Sequence, residues 1–540
     1  MAETTTPDKP QGAEAAPSYA LWKPSHNPWI VALTVTLATF MEVLDTSIAN
    51  VALPHIAGGL SATQDESTWV LTSYLVSNAV ILPISAWLSV LVGRKKFYMT
   101  CVALFTMSSF LCGLAPTLGM LVLFRVMQGL GGGGLATSEQ AILADTFSVE
   151  KRGVAFAVYG MAVVIAPAIG PTLGGWITDN YSWRWIFYIN VPVGLLSLYL
   201  TKRIVEDPPY MKAEQQRTLR NPIDYMGLGL IGVGIGCLQY VLDKGQEADW
   251  FSSRKISVMM TVSIVALIWF VMNEWKHDYP IMDLKLLRQR NFATAAVMMF
   301  LMGIVLFAST VLIPQFLQIL MGYTAEQSGL ALSAGGLVLV VMMPVVGQLI
   351  TRVDPRLMIA FGFASTGLAL FHMRTMNTQI DFGTAAMYRV YQTIGLPFLF
   401  IPISTLAYLG VPQHKSNQVA GMNNFARNLG GSIGISLLST FLERFSQKHQ
   451  VMLSAHTTAG DPQFTQRIAG LTQTFTSQGV PPNQAQAKAY SLITQLVSGQ
   501  AALLAYVDII SIGAIVFVSL APVAFLMKRP PKNAAPVAAH

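Results

Sequence analysis

Charge is scarce in this 540-residue chain: Asp, Glu, Lys and Arg together make up 11% of it, against roughly a quarter in soluble domains. With 53% hydrophobic residues and a mean hydropathy of +0.50, that shortfall excludes an ordinary soluble domain and indicates a polytopic membrane protein. Cysteine is also rare. Cys101, Cys112 and Cys237 all fall in apolar segments, which favours small hydrophobic packing over a disulfide framework or a metal site. The run Gly131-Gly132-Gly133-Gly134 lacks a following Lys-Ser or Lys-Thr and reads as mid-helix, so it is not a phosphate loop. The first 28 residues lack a basic start, a short apolar core and a small-residue cleavage site, and no signal peptide is expected. His55, His277, His372 and His414 are scattered over loops and span ends. No catalytic constellation emerges, and neither an enzyme nor a cofactor or metal site is expected. The net charge of +7 does not point to nucleic acid, because the basic residues form short runs beside hydrophobic segments, the pattern that orients a protein in a membrane.

What is abundant is apolar length. Fourteen stretches of about 20 residues are long enough to cross a bilayer: 29–51, 68–90, 97–115, 118–144, 153–177, 185–200, 225–242, 256–274, 292–320, 329–350, 357–373, 385–409, 419–441 and 502–527. Their connections alternate in charge. Arg94, Lys95 and Lys96, Lys151 and Arg152, Lys202 and Arg203, Lys276 to Arg290, Arg352 and Arg356, Lys415, and Lys528, Arg529 and Lys532 share the side of the N-terminus, which the positive-inside rule makes cytoplasmic. Lys244, Arg254 and Lys255 are the exception on the opposite side, which also carries one long polar stretch, 442–500.

The chain also repeats itself. Phe124-Arg125-Val126-Met127-Gln128-Gly129 returns as Tyr388-Arg389-Val390-Tyr391-Gln392-Thr393, and Gly174-Gly175 returns as Gly430-Gly431 at nearly the same offset. Two related six-helix bundles follow, with two helices inserted between them. The expected organisation is a cytoplasmic tail over 1–28, an N-terminal bundle over 29–204, inserted helices over 223–275, a C-terminal bundle over 291–527 that includes an outer loop over 442–500, and a cytoplasmic tail over 528–540. Duplicated bundles of this kind place their sites between the halves.

Ionisable residues inside hydrocarbon mark function by default. Glu42 and Asp45 stand three residues apart, on one helix face. A rise of about 1.5 Å per residue puts Asp45 roughly 24 Å into its span and Arg125 about 10–12 Å below the outer start of its own, so their depths match. Desolvation and a guanidinium act oppositely on a carboxyl, and such a pair suits gain and loss of a proton. A purely structural ion pair is the alternative. Glu42 joins the pair as a proton-coupling candidate. Gln128, Arg389, Arg427 and Asn423 are candidates for substrate binding or gating, with packing equally open for the two arginines. In the fifth span, Gly160, Pro167, Gly170, Pro171, Gly174 and Gly175 combine small residues that let helices approach closely with prolines that bend the helix and free backbone groups, so a hinge and a tight seam are expected.

These residues carry a family resemblance. Leu44 to Pro54, Arg125 with Gln128-Gly129, Gly160 to Gly175, Trp183 to Pro192, and Leu242-Asp243-Lys244-Gly245 with Trp250 to Ser253 resemble, over nearly the whole chain, the fourteen-span drug/proton antiporters of the major facilitator superfamily. The resemblance implies an all-α integral membrane protein working by alternating access in a bacterial inner membrane, with the proton gradient as energy source and both termini cytoplasmic. It implies Asp45 as the proton-coupling acid, Arg125 as its regulator, hydrophobic or amphipathic substrates, and a periplasmic adaptor of the EmrA type with an outer-membrane channel of the TolC type. A substrate-specific exporter or a proton symporter of the same fold is the rival reading. Ala86 and Val90 stand where the superfamily's loop motif carries glycine and aspartate, so the latch attributed to that aspartate is not expected in the first half. Stretch 442–500, longer than a turn needs, is expected to be an adaptor-docking surface or a tolerated insertion, with 481–500 extending the last helix outward.

Overall fold

The computed structural model describes residues 24–148, 151–455, 457–458 and 460–528. Most of the expected tail over 1–28, and the tail over 528–540 beyond its first residue, lie outside the described residues, as do Arg529 and Lys532.

Among the described residues every regular element is a helix. The first repeat comprises α1 (Pro28–Gly59), short α2 (Gln64–Ser67), α3 (Trp69–Val92), α4 (Arg94–Leu114), α5 (Leu118–Gly132), α6 (Leu135–Thr146), α7 (Arg152–Asn180), α8 (Trp185–Tyr188) and α9 (Asn190–Ile204). A polar helix, α10 (Pro209–Arg220), leads to α11 (Tyr225–Lys244) and α12 (Arg254–Lys276). The second repeat comprises α13 (Arg290–Gln315), α14 (Ala325–Leu349), α15 (Pro355–Met373), α16 (Phe382–Ile394), α17 (Leu396–Ala407), α18 (Ser416–Ser454), α19 (Pro462–Ser477) and α20 (Pro482–Leu520).

Helices thus occupy all fourteen apolar stretches. Among the described residues eleven segments are long and apolar enough to cross a membrane, or twelve when the two arms of α7 count as one span. Two expected spans fall short of that test. The stretch over 185–200 is broken into α8 and a 15-residue α9, and α18, although 39 residues long, carries Asn417, Asn423, Asn424 and Arg427 on its buried face. Those side chains lower its hydropathy without meeting lipid.

The glycine run differs from its reading as mid-helix. α5 stops at Gly132 and α6 starts at Leu135. Two neighbours crowd the run: a Cβ at Gly131 would stand 2.7 Å from the Phe105 nitrogen on α4, and one at Gly133 would stand 2.7 Å from the Asn78 carbonyl on α3. Only glycine lets the chain pass here.

The stretch over 442–500 is mostly helix. α18 continues to Ser454, α19 lies within the stretch, and α20 starts at Pro482. The helices run on past the point where apolar character is lost.

Packing follows the repeat. α1 against α7 is echoed by α13 against α18, and α3 against α5 by α14 against α16. The halves meet along α7 with α14 and α3 with α18, and the inserted α11 packs on α3 and α18. α12 turns Val258, Val262, Val265, Ile268 and Trp269 outward as an apolar face.

The core divides unequally. Near the end bearing the basic loops, called the basic end below, one cluster joins residues of both halves, among them Val35, Phe156, Tyr159, Met343, Phe400 and Tyr408. Toward the opposite end each half has a cluster of its own, one around Ile48, Val70 and Phe187 and the other around Phe316, Tyr388 and Tyr506. Among the described residues the hydrophobic cluster common to the two halves is the one at the basic end.

Candidate functional site

Asn27 starts α1 by accepting the Trp29 amide hydrogen at 3.0 Å, and the helix then runs unbroken through the core. It carries Asp45 inside at 2% exposure. A carboxylate so placed needs donors, and three side chains supply them. Arg125 Nη1 donates to Oδ2 at 2.6 Å, Asn190 Nδ2 to Oδ1 at 2.6 Å and Gln128 Nε2 to Oδ1 at 3.1 Å. Arg125 is held in turn: its Nε donates to the Val70 carbonyl at 3.1 Å, Nη1 also reaches Gln128 Oε1 at 2.7 Å, and the Tyr74 ring lies 4.4 Å from the guanidinium carbon. Asn190 also donates to Ser109 Oγ at 3.0 Å, whose hydroxyl donates to the Phe187 carbonyl at 2.9 Å.

Proton occupancy and pair geometry are linked in such a shell. Withdrawing the guanidinium would leave a buried carboxylate held only by the Asn190 and Gln128 amides, and losing one partner of a buried ion pair costs about 3–5 kcal/mol. Every member of this network belongs to the first repeat. Gln128, expected as a substrate or gating residue, is drawn into it. Asn190 and Ser109 were missed, although Asn190 lies within the quoted stretch Trp183 to Pro192 as a lone amide between aromatic and apolar neighbours.

Glu42, one turn before Asp45, is half-buried and touches the same network through Tyr74. It accepts from the Tyr74 hydroxyl at 3.3 Å and from Asn78 Nδ2 at 3.1 Å. A further carboxyl that sequence reading missed, Glu139 on α6, is wholly buried and accepts the Thr36 hydroxyl at 2.6 Å. An acidic residue beside Gln140 in an apolar span was the available signal.

Next to Glu139 the halves are joined by polar contacts. Asn424 Nδ2 of α18 donates to Gln140 Oε1 at 2.9 Å, the Tyr159 hydroxyl of α7 donates to Asn424 Oδ1 at 3.0 Å, and Arg427 Nη1 donates to the Tyr159 oxygen at 3.1 Å. Arg427 therefore stands at the joint, whereas Asn423 is buried beside it with neither amide atom partnered among the described residues.

Arg389 repeats Arg125 in form but not in partners. Its Nη1 reaches Gln392 Oε1 at 2.8 Å, as Arg125 reaches Gln128, but where Asp45 would stand it finds the Ser309 hydroxyl at 3.3 Å. Among the described residues no carboxylate pairs with it, and its Nε has no partner. The structure separates Arg389 from Arg427: one lies within the second half, the other between the halves.

The hinge residues lie on α7, whose arms over 152–167 and 169–180 bend by 42°. Pro171 has no N–H to offer the Pro167 carbonyl, and the Ser47 hydroxyl of α1 donates to that carbonyl at 3.2 Å. Gly170 and Gly174 lie against Ser47 and Ile48, and Gly160 faces Met343 and Phe400 of the other half. Gly175 is buried, and a Cβ there would meet nothing within 4 Å.

At the basic end a latch forms without an aspartate at position 90. Arg94 donates to Asp145 Oδ2 at 2.5 Å, to the Tyr210 hydroxyl at 3.0 Å and to the Ala141 carbonyl at 3.1 Å. Asp145 also accepts from Tyr210 and, across the halves, from the Ser416 hydroxyl at 3.1 Å. Burial holds the Tyr210 phenol above its usual range. Of the exceptional charges at the opposite end, Lys244 donates to Thr68 at 2.5 Å and to Glu247 at 2.8 Å, and Lys255 donates to the Tyr240 hydroxyl at 2.7 Å.

The family model described as Major Facilitator Superfamily matches residues 35–435. The chain is 36% identical over 503 residues to the fatty acid resistance protein FarB of Neisseria gonorrhoeae, covering 93% of this chain and 96% of that one. It is 34% identical over 511 residues to the multidrug export protein EmrB of Escherichia coli K12, covering 94% and 97%. To the EmrB protein of Haemophilus influenzae it is 37% identical over 465 residues, covering 83% and 90%. In fold it resembles the proton:xylose symporter XylE, with a TM-score of 0.54 at 14% identity, covering 89% of this chain and 94% of that one.

Proposed function

The chain belongs to the Major Facilitator Superfamily, and from that premise we propose that it is a proton-coupled efflux transporter that exports hydrophobic or amphipathic compounds by alternating access. It acts as a carrier, with no covalent chemistry and no cofactor beyond the proton gradient. Similarity over nearly the full length to proteins named for multidrug export and fatty acid resistance supports the substrate class. The observation that carries the proton coupling is the buried Asp45, ringed by Arg125, Gln128 and Asn190, a carboxyl whose proton and ion pair exclude each other. Substrate binds between the halves, whose shared core at the basic end and separate cores beyond it suit a carrier closed on one side. Arg389, Arg427 and Asn423 serve there in binding or gating, and the bend of α7 lets the halves rock.

The protein is a multi-pass membrane protein. We place it in a bacterial inner membrane with both termini cytoplasmic, on the alternation of basic loops. The outer helical extension of α18, α19 and α20 supports docking of a periplasmic adaptor of the EmrA type, itself joined to an outer-membrane channel of the TolC type. The test is reconstitution of the full chain in liposomes with an imposed pH gradient and two probes, a lipophilic dye and a medium-chain fatty acid. Uphill movement of either probe against protons supports the reading. Movement of substrate with protons would favour the symporter, and no gradient-driven movement of either probe would count against proton-coupled efflux.

A further inference from the structure

A transporter driven by protons needs a titrating group that feels the position of one half against the other, because a ligand shifts a conformational equilibrium only by binding the two states differently. The Asp45 network lies within one half, and rigid rocking leaves its contacts as they are. Glu139 is placed otherwise. Its neighbour Gln140 is bonded to Asn424 of the second half, and Asn424 is bonded to Tyr159, which also takes Arg427.

Resting on the transporter reading, we propose that Glu139 is a second proton-carrying carboxyl, whose access to water is set by the joint that Gln140, Tyr159, Asn424 and Arg427 make between the halves. The side chain is 0% exposed, Oε1 accepts a single hydroxyl hydrogen from Thr36, and Oε2 has no hydrogen-bond partner among the described residues. The charged and titratable groups that face it are Glu42 of α1, Tyr98 of α4, Tyr159 of α7 and Arg427 of α18. Among the described residues none makes an ion pair with it. A carboxylate with one hydrogen bond and no counter-ion is far costlier in a dry site than the neutral acid, so the joined halves accommodate the acid.

Parting of the halves at the basic end takes Asn424 and Arg427 away with α18 and admits water to α6. The carboxyl O–H bond then breaks, the proton leaves on a water molecule toward that end, and the carboxylate stays behind hydrated. As the halves rejoin and shut off water from the basic end, a proton from water on the other side restores the acid, so the two sides do not reach the carboxyl together. Thr36, Thr39, Glu42 and Asp45 recur at three-residue intervals along α1, a polar stripe that runs from the Glu139 site to the Asp45 site.

The test uses the full chain in liposomes and infrared spectroscopy of the protonated-carboxyl C=O stretch, which needs no substrate. Wild type is expected to show such a band at neutral pH, shifted in heavy water and lost on alkalinisation. Glu139→Gln should remove a component of it, and Thr36→Val should move that component without removing it. Ala86→Cys with Gly421→Cys, in a Cys237→Ser background, joins the halves where a Cβ at Gly421 would meet Ala86. Once cross-linked, the protein should keep the Glu139 component at a pH where the free protein has lost it. An unchanged band in Glu139→Gln, or loss of the component at the same pH with and without the cross-link, would overturn the proposal. A parallel measurement of protons moved per dye molecule should fall in Glu139→Gln, and an unchanged ratio there would also overturn it. If wild type moves no dye while the infrared results hold, the transporter reading fails and the proton site stands.

Discussion

Asp45 and Ser309 occupy the same place in the internal repeat: the spacing that separates Arg125 from Arg389 also separates Asp45 from Ser309. In the first half the position holds a carboxylate against the arginine at 2.6 Å, and in the second a hydroxyl at 3.3 Å. Among the described residues the duplicated scaffold thus has one guanidinium paired with a carboxylate and one bonded only to neutral groups.

Asp45→Asn should abolish uphill export while the protein remains in the membrane. The variant keeps the shape of the side chain and an acceptor oxygen but leaves Arg125 without its counter-charge. A loss of about 3–5 kcal/mol is typical when one partner of a buried pair is removed. Export is followed in liposomes under a pH gradient, and insertion by purification yield from membranes. Full gradient-driven export by the variant would end the case for Asp45.

Ser309→Asp should give the second half the pair it lacks. The new carboxylate meets Arg389, and a charge-assisted hydrogen bond contributes about 1.5–3 kcal/mol. Thermal unfolding in detergent should shift upward, and transport of anionic probes should weaken relative to cationic ones. A lower unfolding temperature would show that Arg389 is already compensated.

Arg125→Lys keeps the charge and loses the planar fork, and with it the simultaneous bonds to Asp45, Gln128 and the Val70 carbonyl. The pH dependence of transport should change more than the unfolding temperature. An unaltered pH profile in the purified variant would reduce Arg125 to a structural brace.

Pro171→Ala returns an N–H that can pair with the Pro167 carbonyl now bonded to Ser47. The α7 bend should relax, stability should rise by a few tenths of a kcal/mol to about 1 kcal/mol, and the transport rate should fall while substrate binding holds. Equal rates in variant and wild type would separate the bend from the transport cycle.

Replacing 456–481 by a short glycine linker removes α19 and leaves the ends of α18 and α20. Dye and proton movement in liposomes should persist, whereas co-purification of the adaptor and drug resistance in cells should be lost. Adaptor binding that survives the replacement would show that docking lies elsewhere.

The sequence by itself determined what is local or periodic. Apolar length positioned the helices, the arginine and glutamine spacing exposed the repeat, and the rise per residue brought Asp45 and Arg125 to one depth before any contact was known. Pro167, Pro171 and the glycines around them likewise announced a bend and a seam, because both follow from what a residue lacks. Only the tertiary structure decided which polar groups meet. Asn190 reaches Asp45 from α9, Ser47 rescues the Pro167 carbonyl from α1, and Arg94 finds Asp145 in place of an aspartate at position 90, each pairing fixed by helix packing and not by chain spacing. The same holds for the glycine run, where two neighbouring backbones leave no room for a side chain, and for α18, whose polar residues are tolerated because that face is covered by protein. Glu139 is the clearest case: its burial, its single hydroxyl partner and the joint beside it exist only once two halves remote in sequence are brought together.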